Sequence, residues 1–249
     1  MIDGSSRTGR RLTDTPQYLE DEPAWSRDGN RIAYPRSPNN APPELWVMNA
    51  DGSRQRALTT AGLTSPTWSP DGKRIVALPV SDQQSNLALV DTTTGGLTSL
   101  LDDPGVEDSP DWSPDGRHIV FSLLPEGGTN QDLYIINADG SGLRRLTENL
   151  SYEYSPRWSP NGQRIAFVRE GDLWVMDADG SHPEKLTSGL KADGPTWSPD
   201  GRHIAFVLAG QALEVDPVRQ AIWIVDADGS SPRRLTFDFD VVAHPAWRP

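Results

Sequence analysis

The pentapeptide Trp-Ser-Pro-Asp-Gly, repeated with small changes at nearly even spacing, restricts this chain more than any other feature. It reads W-S-R-D-G at Trp25 to Gly29, W-S-P-D-G at Trp68 and at Trp112, W-S-P-N-G at Trp158, and W-S-P-D-G at Trp197. Trp247 opens a sixth copy that stops at W-R-P. The intervals between these tryptophans are 43, 44, 46, 39 and 50 residues. Each unit carries four short apolar pulses: P-x-W-S, then a relative of R-I-A-F, then a relative of L-W-V-M-D, then a pulse ending in Leu-Thr. Pulses of four to six residues, rich in β-branched and aromatic side chains and bounded by Gly, Pro, Asn and Asp, predict strands. A period near 40–45 residues with four strands per unit predicts the blades of a propeller.

The punctuation has a physical basis. In S-P-D-G the proline fixes φ for a type I turn and the glycine supplies the positive φ that leads into the next strand. D-A-D-G-S at Asp177 and Asp226, and N-A-D-G-S at Asn49 and Asn137, serve the third and fourth strands in the same way. Tight hairpins make consecutive strands antiparallel neighbours. With the strands named A to D from the one that carries the Trp, the A–B and C–D turns share one face. The B–C and D–A loops share the other. The first set is nearly invariant between copies and the second varies freely, so the variable face is the expected recognition surface.

The predicted fold is therefore all-β: a propeller of four-stranded antiparallel blades, forming one domain over residues 1–249. Repeats are expected near 23–59, 66–100, 110–147, 156–187 and 195–236. A partial sixth blade is expected from residues 1–13 and 244–249, because Ile2 to Thr13 matches the end of a C strand plus a D strand, and H-P-A-W-R-P matches an A strand. Two closures fit: a six-bladed ring of which this chain is a segment, favoured by the ending on W-R-P, or five blades closing on themselves.

Composition narrows the function. The apolar fraction is 35%, with 22 Gly and 22 Pro, which suits short strands and turns; nine tryptophans supply the inter-blade filling. No apolar run is long enough to span a membrane as a helix. Met1 to Arg11 is polar and encodes no signal peptide as given. With no cysteine there is neither a disulfide nor a thiol nucleophile. A net charge of −12 argues against nucleic acid.

Acids recur just before the repeat motif. Asp21, Glu22, Asp108, Glu153 and Asp193, joined by His244 three residues before Trp247, are expected at the mouth of the central channel, where they would receive a basic peptide or a cation. No metal site is assigned: from Asp177 the twelfth position is Ser188, not the bidentate Glu of a calcium loop. His118 and His203 share one repeat position and read as a structural slot. The chain has no G-x-S-x-G elbow and no H-E-x-x-H, so no catalytic residue is assigned.

The run L-T, P-x-W-S-P-D-G, I-A-F, L-W-V-M-D-A-D-G resembles the TolB-type propeller repeat, and is similar to repeats in the propellers of prolyl oligopeptidase and dipeptidyl peptidase relatives. The resemblance covers residues 1–249. It implies a bacterial, extracytoplasmic (periplasmic or secreted), protein-binding module without a cofactor. TolB's N-terminal α/β domain is not in this sequence. Blade two departs from the repeat, with L-A-L-V-D-T-T-T-G-G in place of W-V-M-D-A-D-G. The expectation is a non-enzymatic protein- or peptide-binding propeller that acts through the variable face and an acidic channel mouth. Two alternatives stay open: a propeller hydrolase or lyase with channel carboxylates and calcium, and the gating propeller of a serine peptidase whose catalytic domain lies elsewhere.

Overall fold

The computed structural model describes residues 11–38, 41–80, 86–208, 221–236 and 245–248. They form five antiparallel sheets, the blades of a ring. The first blade contains Tyr18–Glu20 and Ala24–Trp25, which together line one edge of Arg31–Pro38, followed by Glu44–Asn49 and Arg56–Thr59. The second contains Leu63–Trp68, Arg74–Pro79, Ala88–Asp91 and Leu97–Ser99. The third runs Val106–Trp112, His118–Leu124, Asp132–Asn137, Arg144–Arg145, and the fourth Glu153–Trp158, Arg164–Arg169, Asp172–Asp177, Glu184–Lys185. The fifth runs Ala192–Trp197, His203–Leu208, Ala221–Asp226, Arg233–Arg234. No helix occurs among the described residues.

Five blades, rather than five and part of a sixth, correct the sequence expectation. Residues 1–10 and 237–244, on which much of the sixth blade was expected, lie outside the described residues. The described end segments, 11–17 and 245–248, pair in no sheet. They pack at the seam instead. Trp247 Nε1 donates to the Thr196 carbonyl at 3.2 Å, and the Arg248 guanidinium lies 5.6 Å from the centroid of the Trp25 ring. Among the described residues neither end segment meets a strand in an antiparallel ladder, so no sixth sheet forms there.

The S-P-D-G turn works as its chemistry requires. In the second blade the Gly72 N–H donates to the Ser69 carbonyl, Ser69 Oγ donates to Asp71 Oδ1 at 2.6 Å, and the Arg74 N–H donates to Ser69 Oγ. The Ser69 hydroxyl first, and then the Lys73 N–H at 3.0 Å, hold the Asp71 carboxyl below its ordinary range. The repeated serine is thus consumed by the turn.

The Leu-Thr pulse behaves differently from a strand end. In blades three to five the outermost strand is only two residues long and stops before it. The threonine hydroxyl then takes over from the ladder: the N–H groups of Leu133, Leu173 and Ile222 donate to Thr147, Thr187 and Thr236 Oγ1 at 2.9–3.0 Å. A side-chain acceptor satisfies the donor that a longer strand would have paired.

Blades pack face to face through their middle strands, with Phe121, Phe167 and Phe206 fully buried at one repeat position. The first residue of strand B reaches the next blade. Arg31, Arg74 and Arg164 lie 4.4–5.1 Å from the ring centroids of Trp68, Trp112 and Trp197. His118 and His203 occupy this same slot in their blades, and His203 additionally faces Asp226 at 3.4 Å. The hairpin glycines close the other inter-blade contact. Gly180 has φ +95°, and a Cβ there would sit 2.6 Å from the Leu146 carbonyl oxygen of the preceding blade.

Candidate functional site

The inner strands bound the channel, and each carries the same irregularity. Glu22, Ser65, Ser109 and Ser155 have φ between +45° and +54°, and Gly194 has +53°. All five stand three residues before the repeat Trp, and each precedes a proline. In blades two to five the pairing register shifts at this point. A left-handed conformation at a non-glycine residue costs roughly 1–3 kcal/mol and is held only by its surroundings. The bulge bends every inner strand alike. Thr67, Asp111, Arg157 and Thr196, each just before its Trp, are thereby among the residues lining a channel cavity.

Upstream of the bulge, at the loop-face end of these strands, lie Asp21, Asp108 and Asp193, one each in blades one, three and five. Asp21 and Asp193 are exposed and Asp108 is half-buried. Tyr154 holds this position in blade four, where burial first, and then the charge of Asp193, push its hydroxyl up. Glu22 sits at the bulge itself: its Oε2 accepts the Ser65 N–H at 2.6 Å and ties blade one to blade two. Glu153 is fully buried. It accepts from Asn149 Nδ2 at 2.7 Å, from the Thr147 hydroxyl, and from Arg169, whose Nη2 lies 2.5 Å away. Its carboxylate is committed inside blade four. His244 lies outside the described residues.

Sequence reasoning passed over the channel interior. Asp111 bridges three blades: Thr67 Oγ1 donates to its Oδ1 at 3.2 Å and the Trp158 N–H to its Oδ2 at 2.7 Å. Burial among the inner strands raises its pKa, and the Arg157 charge opposes that rise. Arg157 in turn donates to the Ser109 and Pro156 carbonyls. At the turn-face end, Arg27 Nη2 crosses the channel to the Pro160 carbonyl of blade four at 3.0 Å. The only available signals were the residue preceding each Trp and the single copy with Arg in place of Pro. Among the described residues, no three His, Asp or Glu side chains gather as a metal would need.

An all-β ring whose inner strands enclose a channel, with one invariant and one variable face, is a repeat propeller. The TolB beta propeller domain family matches residues 36–211, and the chain belongs to that family. A TolB-like structure from Agrobacterium tumefaciens superposes with a TM-score of 0.82 at 24% identity, covering 99% of this chain and 92% of its own. TolB from Acinetobacter baumannii gives 0.73 at 21% identity, covering 85% and 53%. Both show the shared fold. The Tol-Pal system protein TolB of Blochmanniella pennsylvanica is 35% identical over 79 residues, 30% of this chain and 17% of that protein. The chain therefore matches less than a fifth of this curated relative's length.

Proposed function

We propose that this propeller is a non-enzymatic module that binds a protein or peptide bearing basic residues, through the face of B–C and D–A loops. The observation that carries this reading is the recurrence of Asp21, Asp108 and Asp193 at one repeat position, four residues before the Trp in blades one, three and five. Asp108 and Asp193 lie on inner strands, and Asp21 lies between two strands of the first inner edge. The shared repeat position supports a common rim at the loop-face end of the channel, in a chain of net charge −12. A ring of carboxylates focuses potential on the axis and draws in Lys or Arg side chains. The family relationship supports a binding role, since the matched relative is named for the Tol-Pal protein system. Glu153 contributes to the rigidity of this rim rather than to the contact.

The test is peptide binding followed by fluorescence anisotropy, with Lys/Arg-rich and sequence-scrambled acidic peptides. Affinity for the basic peptides falls at least about tenfold as salt rises from about 0.02 to about 0.3 M. The triple variant Asp21→Asn, Asp108→Asn, Asp193→Asn reproduces that loss at low salt. Binding that ignores both salt and the triple variant overturns the reading.

A further inference from the structure

The channel's other end has the opposite chemistry. A cavity of about 330 Å³ opens there, among the prolines of three S-P-x-G turns, Pro70, Pro160 and Pro199. The six repeat tryptophans, from Trp25 round to Trp247, ring it. Its charged lining residues are Arg27, Arg157 and Asp111, one more cation than anion in a strongly acidic protein. The Asp111 carboxylate is already engaged by Thr67 and the Trp158 N–H. Two of the ring's indole nitrogens, Trp112 Nε1 and Trp158 Nε1, have no acceptor and are buried in the packing between blades, so it is the ring carbons that face the cavity. Their counterparts Trp68 and Trp197 donate to the Ala24 and Arg157 carbonyls at 3.1 Å. A guanidinium at the rim and aromatic walls favour an anion carried on an apolar body.

Arg27 is the residue that makes this end distinctive. Four of the five complete motifs place Pro there, and the Ser26–Gly29 turn bond at 2.8 Å matches the 2.9 Å bond of Ser69–Gly72. The backbone of this turn is therefore the same without proline, and the arginine is a gain of side chain at no cost in turn geometry.

We propose that the turn-face end of the channel is a second binding site, for a small organic carboxylate, which Arg27 clamps at the mouth of the tryptophan ring. The site lies at the opposite end from the acidic rim and does not depend on it. Binding replaces the Arg27 bond to the Pro160 carbonyl with a charge-assisted bond to the carboxylate, and seats the apolar body against the indoles.

Six of the nine tryptophans line the cavity, so intrinsic fluorescence reports occupancy directly. The probes are cyclohexanecarboxylate and its uncharged isostere cyclohexanecarboxamide. The carboxylate is expected to give a saturable change in Trp emission, with the amide at least about tenfold weaker. Arg27→Pro, which restores the motif of the other blades, is expected to melt at or above the parent temperature and to weaken the carboxylate about tenfold. Arg27→Gln serves as the second variant and is expected to weaken binding equally. Carboxylate and amide binding alike, no saturable signal from either, or full affinity in a folded Arg27→Pro or Arg27→Gln protein would each overturn the proposal. None of these results bears on the loop face.

Discussion

Glu107 pairs across the sheet with Leu123, at the register where Glu20 meets Arg36 and Glu153 meets Arg169. Blades one and four thus carry a carboxylate–guanidinium clasp. In each the arginine also stacks on aromatic rings, Arg36 on Tyr18 and Trp46, and Arg169 on Trp174. Blade three keeps the acid without the arginine. Glu107 is 1% exposed and neither carboxyl oxygen has a partner. Burial pushes its pKa up to about 8, with Asp103 adding to the rise.

Glu107 should therefore be protonated and destabilising at neutral pH. Unfolded, it ionises near its ordinary value of 4.5, whereas folded it holds its proton until about 8. Between those limits the unfolded state alone gains from ionisation, so stability falls as pH rises from about 4.5 to about 8 and then levels off. Glu107→Gln is expected to stabilise the protein by about 2 kcal/mol at pH 8 and to be close to neutral at pH 4. Urea midpoints across that range check the sign. Leu123→Arg should rebuild the clasp and bring the acid back towards its ordinary range.

In blade four the same slot gives the reverse result. Arg169→Leu leaves the Glu153 carboxylate buried beside Thr147 and Asn149 without its cation. A loss of about 3–5 kcal/mol is expected, and the double variant with Glu153→Leu should recover a good part of it. Thermal denaturation of the three proteins measures the coupling.

The threonines that end the outer strands should each matter through one oxygen. Thr187→Val keeps the shape but strips the acceptor from the buried Leu173 N–H, for an expected cost of about 1–3 kcal/mol. Hydrogen exchange at Leu173 should accelerate with it, and unchanged protection would refute the assignment.

Gly180 and Gly189 separate backbone strain from blade packing. Both have positive φ, but a Cβ at Gly189 meets nothing within 4 Å, while at Gly180 it meets the Leu146 carbonyl. Gly189→Ala should cost about 1 kcal/mol from φ alone. Gly180→Ala should cost clearly more, and the difference in melting temperature between the two variants reads the close approach of blades.

Much of this was legible in the residues. The Ser69–Asp71–Arg74 network lies within six positions, so the turn, its direction and the side of the ring it occupies are all encoded locally. The acids expected at the channel mouth were less uniform. Asp21, Asp108 and Asp193 sit one residue before the bulge, while Glu153 sits two before it. In a strand that single step moves a side chain from one face of the sheet to the other, and it puts Glu153 opposite Arg169.

By itself, then, the sequence determined the blade: four antiparallel strands, their hairpins, and two faces of unlike variability. Those features depend on hydrogen bonds between residues a few positions apart. The tertiary structure alone decided how many blades there are and that the Glu153 carboxylate is bonded inside its own blade. It also decided that Asp111, Arg157 and Arg27 share one channel. The blade count and the shared channel rest on contacts between repeats some 40 residues or more apart, where a neighbouring blade supplies or withholds the partner, and no local pattern records which.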